Sequence, residues 1–516
     1  MSDSTRRSPS RGAGSDGSFN APYTASTSAS PSGSASAHAA STTSDRSGNR
    51  GAGAGDASPH FHRSVGLFPA IAVNMIQICG IGPFLTIPAI VAVLNGPLAV
   101  IGWICGAILA MADGLVWAEL GAAMPGAGGT YLYVREAFQY RTGKLMPFLF
   151  VWTAMLSIPL IMSTGIIGFV QYLGFFLPNL TPWQSHAIGV VTVALVVLAL
   201  YRRIESIRSL STVLWIIMIL AVGLTTAAAY TDFHFQQAMS LPPEAASLGK
   251  FFTGLGAGLI IAIYDYAGYN TTAYMGDELE NPGRVMPRSI IISILAMMVF
   301  YLAMNIGVIG TVPWQDVAKS TSVASLVVER NWGHTAAAIV TVLILIAAFA
   351  SVFAGLLGGS RVPFYAARDG VFLSAFGKMH KKHNFPHVAL LVMGVVTAAG
   401  TFFDLTTVIN MLVAVAVLLQ SVAQIAALTV LRKRQPSLRR PYRQWMYPLP
   451  SLVALVGWIY VFYATDHQSQ LLSTLWIVFG LVVFLVWARI ARQWPFGPKH
   501  VREEFLERQN GSVQRH

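Results

Sequence analysis

Charge is scarce in this chain of 516 residues: only 11% are Asp, Glu, Lys or Arg, where a soluble protein carries about a quarter. That shortage excludes an ordinary soluble domain. Cysteine is rarer still. The two present, Cys79 and Cys105, both fall in apolar segments, which excludes a disulfide framework and leaves the redox compartment open. There is no P-loop, no HExxH, no Cys/His set at metal-ligand spacing and no GxSxG elbow. Enzymatic and metal chemistry therefore have no motif to rest on, and an ATP-driven pump would need its motor from another chain. The N-terminal region also lacks the charged-then-apolar pattern of a cleavable signal peptide.

Apolar sequence is plentiful. Hydrophobic residues make up 54% and mean hydropathy is +0.57, enough for about twelve spans of roughly twenty residues. The expected class is an all-α, polytopic membrane protein embedded in the lipid bilayer. Residues 1–62 are rich in Ser, Gly and Ala and are expected to form a disordered cytoplasmic tail, because such a composition cannot bury enough apolar surface to offset ordering entropy. Spans are expected at 65–94, 98–121, 131–174, 186–201, 210–230, 250–276, 289–311, 335–360, 387–403, 405–431, 448–465 and 471–490. A basic loop at 432–447 separates a core at 63–431 from the last two spans at 448–490, and 491–516 forms a polar tail.

The net charge of +12 does not call for nucleic acid, because the basic residues cluster between spans. Arg202, Arg203, Arg208, Arg284, Arg288, Arg368, Lys378, Lys381, Lys382 and the run from Arg432 to Arg443 all fall in alternate loops. The positive-inside rule then puts both termini in the cytoplasm, in the plasma (inner) membrane.

Two apolar segments carry glycine-rich interruptions. In the first, Gly80-Ile81-Gly82-Pro83-Phe84 denies the helix a regular ladder, since glycine is conformationally loose and proline lacks an N–H. A helix half resuming near Phe84 would point its positive end into the break, favouring an anion by about 0.3–1 kcal/mol. A packed Gly/Pro kink explains the same residues. The second interruption, Tyr264-Asp265-Tyr266-Ala267-Gly268-Tyr269-Asn270, adds a carboxylate at membrane depth, where charge is costly and functional by default. Asp265 could pair with a substrate amine, coordinate a cation or carry a proton, or be an acid satisfied by a neighbouring helix. The breaks fall in the first and sixth spans, as an inverted repeat with an odd number of helices per half requires. Irregular backbone at that depth survives only against protein or a watery cavity, which points to a transporter.

Other polar groups have two readings each. Glu278 and Arg284, in the run Gly276 to Arg284, suit a gate latch or a solvated loop; exposed pairs contribute only about 0–1 kcal/mol. Asp113 is a candidate coupling residue in the second span, whereas Glu119 suits interfacial scaffolding. Ser351, on a small-residue face with Gly355, Gly358 and Gly359, suits close packing or ligation of sodium. Asn410, Gln420 and Gln424 suit interhelical hydrogen bonds.

In order along the chain, Gly80-Ile81-Gly82-Pro83-Phe84, Glu119-Leu120-Gly121-Ala122 with Pro125 to Tyr133, Tyr264 to Pro287, Ser360-Arg361 with Arg368-Asp369-Gly370, and Leu431 to Tyr442 resemble motifs of the amino acid–polyamine–organocation superfamily of secondary transporters. The stretch from Tyr264 is similar to the sixth helix of L-type amino acid transporters. The resemblance covers 65–490 and implies a leucine-transporter-type fold of two inverted five-helix repeats, about 65–230 and 250–431, working by alternating access. It implies that an amino acid's carboxylate meets amides near Gly80, Ile81 and Gly82. The amine would meet carbonyls from Tyr264 to Ala267, beside Gly268 and Asn270, with Tyr264 as gating aromatic. Ile81 departs from the family's Ser or Thr, and Thr212 stands where many members carry a lysine, so coupling to Na+ or H+, and whether the mode is symport or antiport, stays open. Asp265 replaces a small residue and keeps cationic substrates, including polyamines, in play. A non-transporting amino-acid sensor on the same fold is the alternative from another class. No cysteine lies between the third and fourth spans, so a disulfide-linked heavy subunit is not expected. No cofactor is expected.

Overall fold

The computed structural model describes residues 65–126, 130–201, 207–241, 248–276, 278–380 and 385–491. The tail at 1–62, Asp277, Arg202, Arg203, Lys381, Lys382 and nearly all of 491–516 lie outside the described residues.

All described elements are helical, apart from one isolated bridge between Val65 and Leu279. In order they are α1 (Leu67–Cys79), α2 (Gly82–Val93), α3 (Ala99–Ala123), α4 (Thr130–Thr142), α5 (Leu145–Leu173), α6 (Pro182–Tyr201), α7 (Ile207–Thr231), α8 (Phe235–Met239), α9 (Leu248–Tyr266) and α10 (Pro282–Thr311). There follow α11 (Trp314–Val317), α12 (Val323–Trp332), α13 (His334–Gly359), α14 (Arg361–Arg368), α15 (His387–Gly400), α16 (Leu405–Ala416), α17 (Val422–Arg434), α18 (Leu449–Ala464) and α19 (His467–Ile490).

Among the described residues, eight helical stretches are long and apolar enough to cross a membrane, and the bent pair α1–α2 makes a ninth. Phe251–Tyr266, α15 and α18 are apolar but shorter. Exposure follows position. The apolar stretch of α5 is 67% buried, that of α19 only 22%. Leu475, Val482 and Val486 on α19, like Val191, Leu195 and Leu198 on α6, stand exposed. An apolar face of that extent is stable only when shielded from water, as lipid or a packed protein surface would do.

Four expected spans differ in shape. The stretch 131–174 is two helices, because Gly143 turns the chain at φ 54° between α5 and an α4 that carries Arg135, Glu136, Gln139 and Arg141. From α4, Tyr131 Oη (2.6 Å) and Arg135 Nη1 (2.9 Å) both donate to Asp369 beyond α14. The expected span 250–276 stops as a helix at Tyr266, and 335–360 leads straight into α14. The span 405–431 contains a π-turn, Val417–Ser421, between α16 and α17. There Gln420 Nε2 donates to Ser157 Oγ on α5 at 2.6 Å.

Inside the bundle α3 lies along α9 and α10, while α5 lies along α13, α15 and α16. The peripheral α19 is stitched to α5 by a reciprocal pair: the Trp152 indole donates to the Trp476 carbonyl at 3.0 Å and the Trp476 indole to that of Trp152 at 3.2 Å. At one end, Arg432 and Arg440 converge on the buried Glu119 of α3. Arg432 Nε donates to Oε1 at 2.8 Å, the Gln444 amide donates to Oε2 at 2.7 Å, and Arg440 Nε stands 3.5 Å away. Burial draws the Arg440 guanidinium below its ordinary value, against the pull of Glu119 and with help from Arg432 and Arg443. Glu119 thus fixes the loop after α17 to α3, in line with a scaffolding role.

The two interrupted stretches cross closely. Gly268 has φ 114°, and a Cβ there would stand 2.9 Å from the Gln77 carbonyl carbon and 3.0 Å from its oxygen. Gly268→Ala is expected to lose about 1–3 kcal/mol of stability through strain and backbone overlap. Gly223→Ala, with nothing within 4 Å, should lose nothing. Thermal unfolding of the two purified variants in detergent checks the difference.

Candidate functional site

The first interruption is a true corner. α1 and α2 meet at 47°, with Gly80 between them at φ 42°. α2 resumes at Gly82, earlier than the Phe84 expected from sequence, because Pro83 suits the first helical turn, where its missing N–H costs nothing. Of the leading amides of α2, that of Phe84 bonds back to the Ile81 carbonyl at 3.2 Å, and the positive end of the helix dipole faces the corner.

The second interruption ends a helix without starting another of similar length. After Tyr266 the chain turns through Gly268, whose carbonyl accepts from the Thr271 amide at 3.0 Å, into a single 3-10 turn, Thr271–Tyr274. α10 then begins at Pro282, preceded by Asn281 in the left-handed region. Three buried side chains hold the two interruptions together. The Tyr301 hydroxyl on α10 lies 3.1 Å from the Ile78 carbonyl and 3.0 Å from the Asp265 carbonyl, so it serves the trailing ends of α1 and α9 at once. Asn74 Oδ1 accepts from the Thr272 amide at 3.0 Å, and the Thr272 hydroxyl lies 3.3 Å from that of Ser289.

Where they meet there is a cleft with ≈ 360 Å³ of empty space, its open mouth included. It is lined by Gly80, Ile81, Gly82, Tyr264, Asp265, Ala267 and Ser351 from the residues singled out in the sequence. Gln77, Cys79, Ile161, Met162, Gly165 and Val352 also line it, and nothing in their spacing distinguishes them from core. The Tyr264 hydroxyl lies 2.6 Å from Thr164 Oγ1 on α5, drawing the ring across the cleft. Ser351 faces the first corner: a Cβ on Gly80 would stand 3.1 Å from its Oγ.

Asp265 reaches from the second interruption to the first. Its Oδ2 accepts from the Thr86 hydroxyl, one turn into α2. Its Oδ1 lies against Gly82, closer than a Cβ on that residue would tolerate. Asp265 is 1% exposed, yet Oδ1 has no hydrogen-bond donor among the described residues.

The remaining candidates lie elsewhere. Gly268 packs on Gln77 rather than lining the cleft. Asn270 heads the 3-10 turn, its carbonyl accepting from the Ala273 amide at 2.9 Å. Asp113 is outside the cleft, its carboxylate surrounded by neutral donors: Trp117 Nε1 at 2.9 Å, Trp458 Nε1 at 3.0 Å and the Tyr269 hydroxyl. Thr212 belongs to α7, and its side chain is outside the described residues. Glu278 and Arg284, the two gate candidates of the run Gly276 to Arg284, take different places. Glu278 Oε1 pairs with Arg361 Nη1 at 2.9 Å, whereas Arg284 sits in the first turn of α10, its amide bonded to the Asn281 carbonyl. Beside that pair, Val65 is bridged by backbone bonds to Glu278 (3.0 Å) and Glu280 (2.9 Å).

Tyr301 and Thr86 were not legible as site residues, although Thr86 stands one helical turn beyond Gly82, on its face. Tyr301→Phe deletes one hydroxyl and leaves two buried carbonyls without a donor, an expected loss of about 1–3 kcal/mol. Tyr230→Phe, whose exposed hydroxyl donates to Ala303, should lose less; paired thermal melts in detergent test this.

The model of the amino acid permease family matches residues 66–488. The chain is similar to the branched-chain amino acid permease BcaP of Bacillus subtilis, 26% identical over 451 residues, spanning 83% of this chain and 93% of that protein. It is also similar to the Asc-type amino acid transporter 1 of Mus musculus, 28% identical over 410 residues (77% and 76%), and to the serine/threonine exchanger SteT of Bacillus subtilis, 24% identical over 446 residues (82% and 96%). These relatives are transporters, not enzymes. A bundle of apolar helices with lipid-facing flanks, matched over nearly its whole length, belongs to the amino acid permease family and is an integral, multi-pass membrane protein.

Proposed function

We propose that this protein is a secondary active transporter that carries amino acids or related amines across the plasma (inner) membrane by alternating access, both termini in the cytoplasm. The observation that carries this reading is the cleft between two interrupted helices. Helix ends at membrane depth supply free amides and carbonyls to a small polar ligand, and this cleft lies where two such ends cross. The relatives support the cargo: one is named a branched-chain amino acid permease and another a serine/threonine exchanger.

The span count in this reading is twelve. The bent pair counts as one, and Phe251–Tyr266, α15 and α18 cross as short helices. α1–α2 and α9 with its 3-10 turn are then the first and sixth spans of two inverted five-helix repeats. Tyr264 against Thr164 closes the cleft on one side. The Glu278–Arg361 pair and the Val65 bridge close the end at which α1 begins. Coupling is to Na+ or H+, or by exchange. Asp265 and Ser351 are the coupling candidates within the cleft, and Asp113, held by neutral donors, acts on the second interruption through Tyr269. Asp265 also favours an amine cargo over a strictly zwitterionic one, since it places an acid in the cleft.

Counterflow tests the reading. The full chain, reconstituted in liposomes preloaded with unlabelled amino acids or amines, is expected to accumulate the labelled compound transiently above equilibrium, with no imposed gradient. Ligand binding without counterflow, at two pH values with and without sodium, would instead identify a sensor.

A further inference from the structure

The leading end of α2 is an anion seat, and in this chain a side-chain carboxylate stands beside it. Asp265 Oδ1 lies against Gly82 without a donor while Oδ2 takes the Thr86 hydroxyl, so the carboxylate stands beside the first turn of α2, held through one oxygen. A second carboxylate placed in that seat would meet like charge at close range, which disfavours the doubly ionised state. Among the described residues that line the cleft there is no Lys, Arg or His, and Asp265 is the only acid. Oδ1 is buried without a donor. A buried carboxylate in that condition is costly until a cation or donor reaches it.

Resting on the transport reading of this cleft, we propose that its ligand is a short alkylammonium monocation without a carboxylate, Asp265 supplying the carboxylate that an amino acid would bring. The ammonium donates to Oδ1 and the alkyl chain lies on Ile81, Ile161, Met162 and Val352. Those apolar walls and the absence of a second acid among them disfavour a dication such as a diamine, whose far charge would be desolvated without a partner.

Matched ligands test this on the purified full chain in detergent, by calorimetric titration with 3-methylbutylamine, leucine and putrescine. The amine is expected to bind at least roughly tenfold more tightly than leucine, and putrescine more weakly than the monoamine. Asp265→Ala, which removes that carboxylate, is expected to reverse the order of amine and leucine. Leucine binding as tightly as the amine in the unaltered protein overturns the assignment, as do tighter putrescine binding and an Asp265→Ala variant whose amine affinity is unchanged. The ligand comparison on the unaltered protein decides even where the variant fails to fold. Leucine counterflow without preference for the amine sinks this assignment and leaves the transport reading standing. Amine binding without counterflow of any ligand does the reverse.

Discussion

A helix that stops inside hydrocarbon leaves carbonyls behind it and amides ahead of it, and lipid can satisfy neither. Here the trailing ends of α1 and α9 share a single hydroxyl, that of Tyr301, which lies within 3.1 Å of one carbonyl and 3.0 Å of the other. Much of the core is arranged to bring that hydroxyl there. Trp103 packs 4.9 Å from the Tyr301 ring and Tyr266 packs 5.3 Å from it, centroid to centroid. α10, which carries Tyr301, lies against both α1 and α3. Because the same group serves both ends, the interruptions cannot separate without exposing a carbonyl. The crossing of Gly268 on Gln77 then follows from the close approach this imposes.

Three buried acids show how the polar interior divides between frame and cleft. Asp113 is met by two indoles and a phenol. Glu119 is met by two guanidinium groups and a backbone amide. Both are satisfied by groups on separate elements, so each works as a tie: Asp113 joins α3, α18 and the turn after α9, and Glu119 joins α3 to the end of α17 and the loop beyond. Asp265 has one hydroxyl and an unpartnered oxygen. A fully bonded carboxylate has little to gain from a ligand, whereas an under-bonded one has much, since leaving a buried charge unsatisfied is the larger cost. The distinction between tie and site rests on partners rather than on burial, for all three are at most 1% exposed.

The sequence carried the architecture better than the wiring. Glycine, proline and charge at membrane depth are local signals, so the corner at Gly80, the stop after Tyr266 and the acid between them were all legible. Amphipathic α4 was absorbed into the following span because its tyrosines and Phe138 mask its polar face in a hydropathy reading, and only Gly143 marked the turn. Partners separated by long stretches of chain were beyond reach. Glu278 meets Arg361 and not its near neighbour Arg284, because α10 carries Arg284 off in its first turn while the start of α14 brings Arg361 in. Thr86, Thr164 and Tyr301 matter through contacts with other helices, and no spacing within their own helices announces that.

The contacts at the Val65 end are of modest strength, which is what the reversible closure proposed above requires. The Glu278–Arg361 side chains are 22% and 29% exposed, so the pair is half-buried and contributes on the order of 1 kcal/mol. The two backbone bonds of the Val65 bridge add about 1 kcal/mol each. A barrier built from a few kcal/mol holds a resting state at large excess and still yields to a ligand that prefers the open form by a comparable amount. The ties at Asp113 and Glu119 bury a carboxylate among several donors, so that breaking one strands a charge. Buried ties at one place and a half-buried pair at another are the division that the proposed alternating access requires, a fixed frame beside an end that opens.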